Sequence, residues 1–591
     1  MCGIVGVARD GMAAPSVVNG LRNLEYRGYD SAGVAAVTNG KLQFKKDVGQ
    51  ITQVENRYVL SDLTGNIAIG HVRWATHGGV SQANAHPQLD CRSEVAVVHN
   101  GIIENYQELR NQLIERGHRF TSETDTEVIP HLIEEYTGNG ASLEKALSLL
   151  VKELKGSYAF LAISSKEPEK IVGTCKNEPL VIGVSGHGSF IASDVTAFLK
   201  ETKQAITVGD EEIAVLSKDR HTLLNNNGEI IRREPDEIQW NWDEVTRGDC
   251  EFFMLKEILE QPQAIIKSLA QDRSLVMDMA LDILRAGQVI FTACGTSRYA
   301  ALLGRYIFSR LGMKFSDVVM ASEFQYFEDS VNRNTLVIAV SQSGETADVL
   351  EGVRVAKRNG ATIFSIVNRL GSPLVRMSDR VLQLNCGPEI SVAATKSFIG
   401  QTVLFYLLAF AMVNKLDECQ QKIETISYLI DDNCRNNGKN LVTIASRLQD
   451  ERDCYFIARG SNLHVANEGA LKLKEISYIH ADGMPAGELK HGTLALIEPG
   501  IPVIAICPRD YTYYDTLSNI EEAKARGAYI IGVSDQWDNV FDQWIEIPQV
   551  DEVFYPLVTV VPLQLLAYYT AVAKGLDPDK PRNLAKSVTV K

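Results

Sequence analysis

The sequence predicts a layered α+β domain followed by two doubly wound α/β domains in tandem. Up to about residue 238, short apolar or alternating runs typical of strands outnumber the helical patterns. Beyond about residue 250, strand, glycine-containing turn and helix alternate, which is typical of a parallel sheet covered on both faces. This alternation occurs twice, which indicates an internal duplication. We therefore expect domains at 1–238, 251–430 and 431–591, with a polar and aromatic connector at 239–250.

The first domain has eight predicted strands and two predicted helices. The Asn100-Gly101 pair is typical of a hairpin turn, but an apolar pair and a helix follow it, so we expect a loop there and no hairpin. The predicted strands are 3–8, 31–38, 66–72, 94–99, 158–164, 171–174, 181–184 and 213–216, and the predicted helices are 105–116 and 126–136.

The later domains begin with a long predicted helix, 253–269, and each continues with strand, turn and helix. Two long apolar runs, 398–413 and 553–573, contain Gly, Gln or Pro, so we interpret them as buried core segments and not as membrane spans. The other predicted strands are 289–293, 336–340, 454–458 and 502–507, and the other predicted helices are 298–311, 347–359 and 463–477.

Composition narrows the function classes. The chain has 591 residues, 45% hydrophobic and 23% charged, and a net charge of -15. This charge argues against a nucleic-acid partner, although backbone N–H groups could still bind a small anion. The ten cysteines lack metal-ligand spacing, which indicates a reducing compartment without structural zinc, and no other metal or cofactor is predicted. Arg9 and Asp10 interrupt any signal-peptide pattern, so we expect a cytoplasmic protein without membrane attachment.

Cys2 is the first candidate catalytic residue. Removal of Met1 would leave this thiol on the N-terminal residue. An α-amine has a pKa of about 7.7 to 8.0, so a useful fraction is unprotonated near neutral pH and can accept the thiol proton. A single residue would then supply both nucleophile and base. A cysteine at this position by chance is the alternative, and the other polar clusters decide between the two interpretations.

These clusters contain what an amino-acid substrate requires. Arg73 can bind an α-carboxylate through two N–H groups, and Asp125 can accept hydrogen bonds from an α-ammonium. Asn100 and the N–H of Gly101 could stabilise a tetrahedral oxyanion, which is typically worth about 3 kcal/mol per donor. Each residue alone has a structural alternative, such as a helix cap or a surface ion pair. Their combination with Cys2 favours a catalytic site.

A second candidate site binds phosphate. The segment 341–346, Ser-Gln-Ser-Gly-Glu-Thr, follows an apolar strand and opens a helix, so its hydroxyl and N–H groups gather at a helix N-terminus. The segment lacks the lysine of a P-loop, which favours a phosphate monoester over a nucleoside triphosphate. An ordinary helix cap is the alternative. Thr296 and Ser297, at the end of the neighbouring strand, favour phosphate.

Three charged residues share one face of a later helix. Glu468, Lys472 and Glu475 follow i, i+4, i+7 spacing, which usually indicates ion pairing on a surface. Leu471 and Leu473 make the segment apolar, so we expect at least one of the charges to face inward. A buried carboxylate beside Lys472 could have a shifted pKa and move a proton between adjacent carbons.

The first domain resembles the glutaminase domain of the N-terminal-nucleophile (Ntn) amidotransferases. The resemblance implies that Cys2 attacks the glutamine amide and that Asn100 and Gly101 form the oxyanion hole. It also implies that Trp74 gates an internal ammonia channel, and only Val80, where many members have Pro, departs from the pattern. The implied glutamine-binding residues are Arg73, Thr76, His77, His86 and Asp125. The matching runs are 2–4, 25–31, 73–78, 99–105 and 123–127.

The later domains resemble the paired sugar isomerase (SIS) domains of the glutamine:fructose-6-phosphate aminotransferase family, and the match covers essentially the whole chain. The resemblance implies that Lys586 condenses with the open-chain carbonyl of fructose 6-phosphate. It implies that Glu475 moves a proton from C1 to C2, helped by Glu468 and Lys472, and that His491 of a second subunit opens the ring, so a homodimer is expected. The implied sugar-binding residues are Thr296, Ser297, Ser341, Gln342, Ser343, Thr346, Val392, Ala585, Glu468 and Lys472. Ala394, Thr493 and Lys591 depart from the family pattern without removing a catalytic group.

Other functions fit less well. An amidophosphoribosyltransferase would need paired aspartates after an apolar strand, but Asp431 and Asp432 lie in a helical stretch. An asparagine synthetase would need a Ser-Gly-Gly-x-Asp-Ser loop, which the sequence lacks. A sugar-phosphate sensor without catalysis would not account for Cys2, Glu475 and Lys586 together.

Overall fold

The computed structural model describes residues 2–238, 240–369 and 371–589. The predicted removal of Met1 and the departure at Lys591 lie outside the described residues. Contacts divide the chain into two compact units. The first unit runs to Val245 and also includes the C-terminal residues from Ala585, and the second unit is Thr246–Leu584.

The first unit contains two antiparallel sheets. One sheet has the strand order β15-β11-β9-β10-β1-β4-β2-β3 and the other has the order β14-β13-β12-β8-β7-β6-β5. The strands are β1 (Gly3–Ala8), β2 (Ser31–Thr38), β3 (Lys41–Val48), β4 (Ile67–Arg73), β5 (Gln88–Leu89), β6 (Val95–Ile103), β7 (Gly156–Ser164), β8 (Glu167–Lys176), β9 (Val181–Ser185), β10 (Gly188–Ala192), β11 (Gln204–Thr207), β12 (Ile213–Ser217), β13 (Arg220–Leu224), β14 (Ile230–Ile231) and β15 (Asp236–Glu237). The helices are α1 (Ala14–Asn23), α2 (Ile51–Tyr58), α3 (Tyr106–Glu115), α4 (Val128–Gly138) and α5 (Leu143–Leu150).

Burial shows how these sheets stack. Ile4 of β1 and Leu161 of β7 belong to one core between the two sheets. On the outer face of the first sheet, α1 packs so closely that a Cβ on Gly70 would come within 2.5 Å of Val17. On the outer face of the second sheet, Leu132 of α4 belongs to a separate core. The result is a helix, sheet, sheet, helix arrangement, which confirms the predicted layered α+β fold.

Two details of the first domain differ from the prediction. The predicted loop at His99-Asn100-Gly101 is wrong, because all three residues lie inside β6. Gly101 has a φ of 103°, and a Cβ there would lie 2.1 Å from the carbonyl oxygen of Ser157. Only glycine therefore allows the strand to continue past Asn100. The sequence also failed to predict several elements, including α1, α2, α5, β3 and β10.

The second unit contains two parallel five-stranded sheets with the same topology. Their strand orders are β17-β16-β18-β19-β20 and β22-β21-β23-β24-β25, which is the doubly wound 2-1-3-4-5 order in both cases. The strands are β16 (Gln288–Ala293), β17 (Asp317–Met320), β18 (Thr335–Val340), β19 (Thr362–Val367), β20 (Arg380–Gln383), β21 (Asp453–Ala458), β22 (His480–Pro485), β23 (Pro502–Ile506), β24 (Tyr529–Ser534) and β25 (Gln543–Glu546). The helices are α6 (Phe253–Leu259), α7 (Gln261–Leu269), α8 (Arg273–Arg285), α9 (Gly295–Arg310), α10 (Ala347–Arg358), α11 (Pro373–Met377), α12 (Lys396–Met412), α13 (Leu416–Leu448), α14 (Asn462–Ser477), α15 (Tyr513–Lys524) and α16 (Tyr555–Ala573).

The predicted helix 253–269 is two helices, because Pro262 has no N–H to donate to the carbonyl of Ile258. The side chain of Gln261 donates to that carbonyl instead, at 3.1 Å. The helix therefore breaks at Glu260 without leaving the Ile258 acceptor unsatisfied.

The two apolar runs form core helices, as predicted. Every residue of α12 is buried. By length and composition the stretch Glu552–Ala573 could cross a membrane, but its most apolar window is 83% buried inside the fold. The long helix α13 connects the two parallel sheets, and the predicted boundary at residue 430 falls within it.

Candidate active sites

The thiol of Cys2 lies at the start of β1, beside the residue that follows β4. The backbone N–H of Trp74 donates to Cys2 Sγ at 3.3 Å, and the thiol faces the carbonyl of Trp74 at 3.4 Å. Burial raises the pKa of the Cys2 thiol. A thiol with a raised pKa needs a base to become nucleophilic at neutral pH. The α-amine of residue 2 can serve as this base once Met1 has been removed.

The backbone of residue 2 is fixed by two side chains. Asn100 Nδ2 and Arg27 Nε both donate to the Cys2 carbonyl, each at 3.0 Å. Asn100 of β6 therefore lies against the backbone of residue 2, and the oxyanion hole of Asn100 and Gly101 stays a prediction. Arg27 is fully buried, and it had been assigned no role from the sequence. The sequence signal for it is a charged residue within the polar run 25–31.

Arg73 holds the loop that follows β4. Its guanidinium is 3% exposed and donates to the carbonyls of His77, Gly78 and Gly79, the last two at 3.1 and 3.2 Å. Burial lowers the pKa of Arg73. Because these contacts shape the loop, the predicted contact between Arg73 and an α-carboxylate stays a prediction. Thr76 is exposed on the same loop.

The remaining predicted glutamine residues surround this loop. Asp125 is buried and accepts the N–H of Ile103 at 2.8 Å, so it lies against the end of β6. His77 packs edge-on against Tyr106 with ring centroids 5.4 Å apart. Trp74 packs in the same manner against Tyr29, at 5.4 Å. The role of Trp74 as a gate stays a prediction.

His86 belongs to a chain of buried histidines. Its Nδ1 lies 3.0 Å from Nε2 of His71, which lies 2.9 Å from the carbonyl of His99. Nδ1 of His99 in turn lies 2.8 Å from the hydroxyl of Thr126. Burial lowers the pKa of His71 and His86 well below the usual value, so both rings are neutral at physiological pH. These contacts fix the position of the His86 ring, and its contact with glutamine stays a prediction.

In the second unit, the predicted phosphate residues lie where the strand order of the first parallel sheet reverses. The strand β16 pairs with β17 on one side and β18 on the other, so the turns after β16 and β18 flank the crevice used for ligands in such sheets. The hydroxyls of Ser341 and Thr346 lie 3.0 Å apart, and Gly344 N donates to Ser341 Oγ at 3.0 Å. Ser343 Oγ accepts the N–H of Glu345 at 3.2 Å. This compact turn begins α10, whose N-terminus favours an anion.

Neighbouring residues stabilise this turn. Asn368 N donates to the carbonyl of Gln342 at 3.0 Å, and Arg369 pairs with the buried Glu345 at 3.0 Å. Gly344 has a φ of 66°, and a Cβ there would lie 2.1 Å from the hydroxyl oxygen of Ser372. The turn is therefore tightly packed before any ligand binds.

Four predicted sugar-site residues form one buried cluster. Thr296 Oγ1 donates to Glu468 Oε1 at 3.1 Å and accepts from Lys472 Nζ at 3.1 Å. Lys472 also lies 2.6 Å from Glu475 and 3.5 Å from Glu468. The side chains of Glu468 and Lys472 are fully buried, whereas that of Glu475 is 21% exposed. The expectation that a charge on this helix faces inward is confirmed.

Burial sets the protonation states of this cluster. It raises the pKa of Glu468 to about 8, with a further contribution from Glu475 and opposition from Lys472. Burial alone would lower the pKa of Lys472, but the two carboxylates outweigh it and raise that pKa. Burial thus favours proton uptake by Glu468, while the neighbouring Glu475 favours the cationic form of Lys472. Glu475 is the group with access to a substrate, because only its side chain is partly exposed.

The other predicted sugar residues are more dispersed. Ser297 accepts a hydrogen bond from Gln401 of α12 at 2.9 Å, a residue that had been assigned no role from the sequence. Val392 N donates to the carbonyl of Asp579 at 3.1 Å. His491 is exposed at the end of a short 3-10 helix, Ala486–His491. Ala585 and Lys586 fall in the first unit, so their part in the sugar site stays a prediction.

Comparisons with known proteins give one family for the first unit and another for the second unit. The glutamine amidotransferase domain family matches residues 71–200, and the SIS domain family matches residues 282–411 and 447–574. Full-length relatives include the glutamine–fructose-6-phosphate aminotransferases (isomerizing) of Thermococcus kodakarensis, 45% identical, and Methanothermobacter thermautotrophicus, 46% identical, each with 100% of both chains covered.

A solved structure is similar to the later domains. The C-terminal domain of glucosamine-fructose-6-phosphate aminotransferase from Francisella tularensis is 32% identical, with a TM-score of 0.54, and covers 57% of this chain and 99% of its own. Together with the full-length relatives, this likeness shows that the chain belongs to the family of glutamine–fructose-6-phosphate aminotransferases (isomerizing).

Proposed function

We propose that the protein hydrolyses the side-chain amide of L-glutamine and transfers the ammonia to D-fructose 6-phosphate, giving L-glutamate and D-glucosamine 6-phosphate. One observation carries this proposal. A single chain holds both Cys2, whose backbone carbonyl accepts from Asn100, and a charged cluster, Lys472 with Glu475, that contacts Thr296 after the strand β16 of a parallel sheet. Neither part alone would join nitrogen release to sugar isomerisation.

In the glutaminase reaction the α-amine of Cys2 accepts the thiol proton, and the thiolate attacks the amide carbonyl. Asn100 and the N–H of Gly101 stabilise the oxyanion, which then collapses to a thioester as ammonia leaves. Water hydrolyses the thioester to glutamate and restores the thiol. In this scheme the substrate is held by Arg73, Thr76, His77, His86 and Asp125, and Trp74 gates the path of the ammonia.

In the sugar reaction the phosphate binds at the N-terminus of α10 and its neighbouring turns. Lys586 forms an imine with the open-chain C2 carbonyl, releasing water, and ammonia displaces the lysine to form the imine of the product nitrogen. Glu475 then removes a proton from C1 and returns it to C2, with Lys472 and Glu468 tuning its environment. The proposed sugar-binding residues are Thr296, Ser297, Ser341, Gln342, Ser343, Thr346, Val392 and Ala585.

His491 supports the proposal of a shared sugar site. It is exposed, and the family resemblance implies that it opens the sugar ring of a neighbouring subunit. We therefore propose a homodimer, acting in the cytoplasm and without a nucleic-acid or membrane partner. The chemistry above needs no cofactor, because carboxylate, amine and thiol groups supply every proton transfer.

The test is a product assay with the purified full chain, glutamine and fructose 6-phosphate, without added nucleotide. We expect glucosamine 6-phosphate and glutamate in equal amounts. Cys2→Ala should abolish both, and Lys586→Ala should abolish the amino sugar while glutamine hydrolysis continues. A protein that binds fructose 6-phosphate but forms no product would instead be a sugar-phosphate sensor.

A further inference from the structure

Four potential metal ligands without an assigned catalytic role converge in the first unit. They are Cys91, His118, His131 and Glu134, and one ligand atom from each lies within 4.8 Å of all the others. Cys91 follows β5, His118 follows α3, and the last two residues lie on α4. Three separate segments of the chain therefore meet at this point.

The distances in this cluster match the edges of a tetrahedron around a metal ion. Cys91 Sγ lies 3.5 Å from Nδ1 of His118 and 3.5 Å from Nδ1 of His131. The two Nδ1 atoms lie 3.3 Å apart, and Glu134 Oε2 lies 3.1 and 3.5 Å from them. Zinc bond lengths of about 2.3 Å to sulfur and about 2.0 to 2.1 Å to nitrogen give tetrahedral edges of about 3.5 Å and about 3.3 Å.

The surrounding groups also fit a metal site. Each imidazole that points Nδ1 into the cluster has a carboxylate near its Nε2, Glu135 at 3.4 Å from His118 and Glu127 at 3.8 Å from His131. Carboxylates beside Nε2 favour the tautomer that leaves Nδ1 free to bind a metal, and Glu135 is close enough to His118 to act in this way. Glu127 is beyond hydrogen-bond distance of His131 and contributes only its negative charge. The backbone N–H of Arg119 also faces Cys91 Sγ, at 3.4 Å.

We propose that Cys91, His118, His131 and Glu134 bind one zinc ion. The donors, one thiolate, two imidazoles and one carboxylate, suit a borderline-soft divalent cation, and zinc adopts this four-coordinate geometry readily. All four ligands come from the protein, which is typical of a structural site and not of a catalytic one. The sequence had indicated no structural zinc, because the four ligands are spread over residues 91–134 without a Cys-x-x-Cys pair.

The position of the site suggests what the ion does. The segment between His118 and His131 contains Asp125 and Glu127, and Glu127 also accepts hydrogen bonds from Thr121 and Ser122. An ion that joins Cys91 to both ends of this segment would fix the loop that presents Asp125 to the cleft. We infer a stabilising role for the metal, separate from the reaction itself.

Metal analysis of the full-length protein tests the proposal. The protein, produced with zinc in the medium and dialysed against metal-free buffer, should contain about one zinc per chain. After replacement by cobalt(II), it should show the visible bands of tetrahedral cobalt and a thiolate-to-cobalt charge-transfer band. Cys91→Ser should lose the charge-transfer band, and His131→Gln should lose bound metal.

Cys250→Ser is the matched control, because Cys250 is a free thiol outside the cluster. It should keep the full metal content and the full spectrum. The proposal is overturned if the wild-type chain holds less than about a tenth of an equivalent of zinc and shows no cobalt bands. It is equally overturned if Cys91→Ser keeps the charge-transfer band, because the thiolate ligand would then lie elsewhere.

Discussion

The two parallel sheets of the second unit share one topology but carry different polar groups. Both have the 2-1-3-4-5 strand order, and the helix after the first strand of each sheet starts at or just after a glycine with positive φ, Gly295 for α9 and Gly460 for α14. Counting from these glycines, Glu468 and Lys472 of α14 correspond to positions occupied in α9 by Leu303 and Ile307, which are buried apolar residues. A duplicated helix therefore remained part of the core in one copy and carries the buried charges in the other.

The turns after β18 and β23, the third strands of the two sheets, also differ in the polar groups that they carry. In the first copy the turn offers hydroxyl groups, and Thr346 is the N-cap of α10. In the second copy Asp510 accepts from Thr512 N and Oγ1 at 2.7 and 2.6 Å, and from Asn462 at 3.0 Å. A carboxylate that already binds these donors would repel a phosphate. The first copy is thus expected to bind the substrate and the second to move protons.

The largest expected effect is on amino sugar formation, when Glu475 of the second copy is changed. Glu475→Gln should lower amino sugar formation by about a hundredfold to ten-thousandfold, because an amide cannot act as a base. Fructose 6-phosphate binding and glutamine hydrolysis should continue. The measurement is kcat and KM for both half-reactions, with Lys474→Gln as a control on the exposed face of the same helix. Full activity in Glu475→Gln would remove this residue from the mechanism.

The next effect concerns the phosphate-binding copy. Thr346→Val should raise KM for fructose 6-phosphate by about tenfold with little change in kcat, since one hydrogen bond to a charged group is lost. Thr512→Val is the matched control, because Thr512 is the N-cap of the corresponding helix α15. An equal rise in KM in both variants would contradict the proposed division between the copies.

Two glycine substitutions should separate the cost of a steric clash from the cost of backbone strain, measured as a change in the free energy of unfolding. Gly344→Ala places a methyl group 2.1 Å from Ser372 Oγ in a residue with a φ of 66°. Gly575→Ala has a similar φ of 68° and open space around it. We expect both variants to be destabilised by about 1 kcal/mol through the backbone, and Gly344→Ala by a further amount through the clash. Chemical denaturation measures both, and equal losses would argue against a tightly packed turn.

The pH dependence of stability tests the protonation of Glu468. Its pKa is about 8 in the folded chain and near 4.5 when unfolded, so the folded state binds more protons between these values. The stability of the wild type relative to Glu468→Gln should therefore fall as the pH rises from about 5 to about 9. Thermal unfolding across this range provides the measurement. A difference that stays constant or grows with pH would indicate an ionised Glu468 paired with Lys472.

Much of this arrangement follows from the sequence, for physical reasons that differ between regions. The strands β1 and β2 coincide with the prediction because their apolar runs are uninterrupted. The helix α1 was not predicted, since Pro15 and Gly20 within it are typical of loops. Pro262 breaks the predicted helix 253–269, and the side-chain hydrogen bond from Gln261 that satisfies the Ile258 carbonyl at the break is not revealed by periodicity.

In the candidate sites too, local features could be predicted from the sequence but long-range contacts could not. The apolar neighbours Leu471 and Leu473 indicated that at least one charge on α14 faces inward, and the structure agrees. Contacts between residues far apart in the sequence could not be predicted from local patterns. Arg27 approaches the Cys2 carbonyl, and Gln401 approaches Ser297, only because the fold brings distant segments together. The four-ligand cluster around Cys91 was missed for the same reason.

The central claim is that nitrogen released at Cys2 reaches the sugar within the protein. Glutamine labelled with ¹⁵N at the amide should be supplied with fructose 6-phosphate in an excess of unlabelled ammonium. We predict that the glucosamine 6-phosphate carries ¹⁵N and that Cys2→Ala forms no labelled product. Unlabelled amino sugar from the wild-type protein, or none at all, would contradict the account.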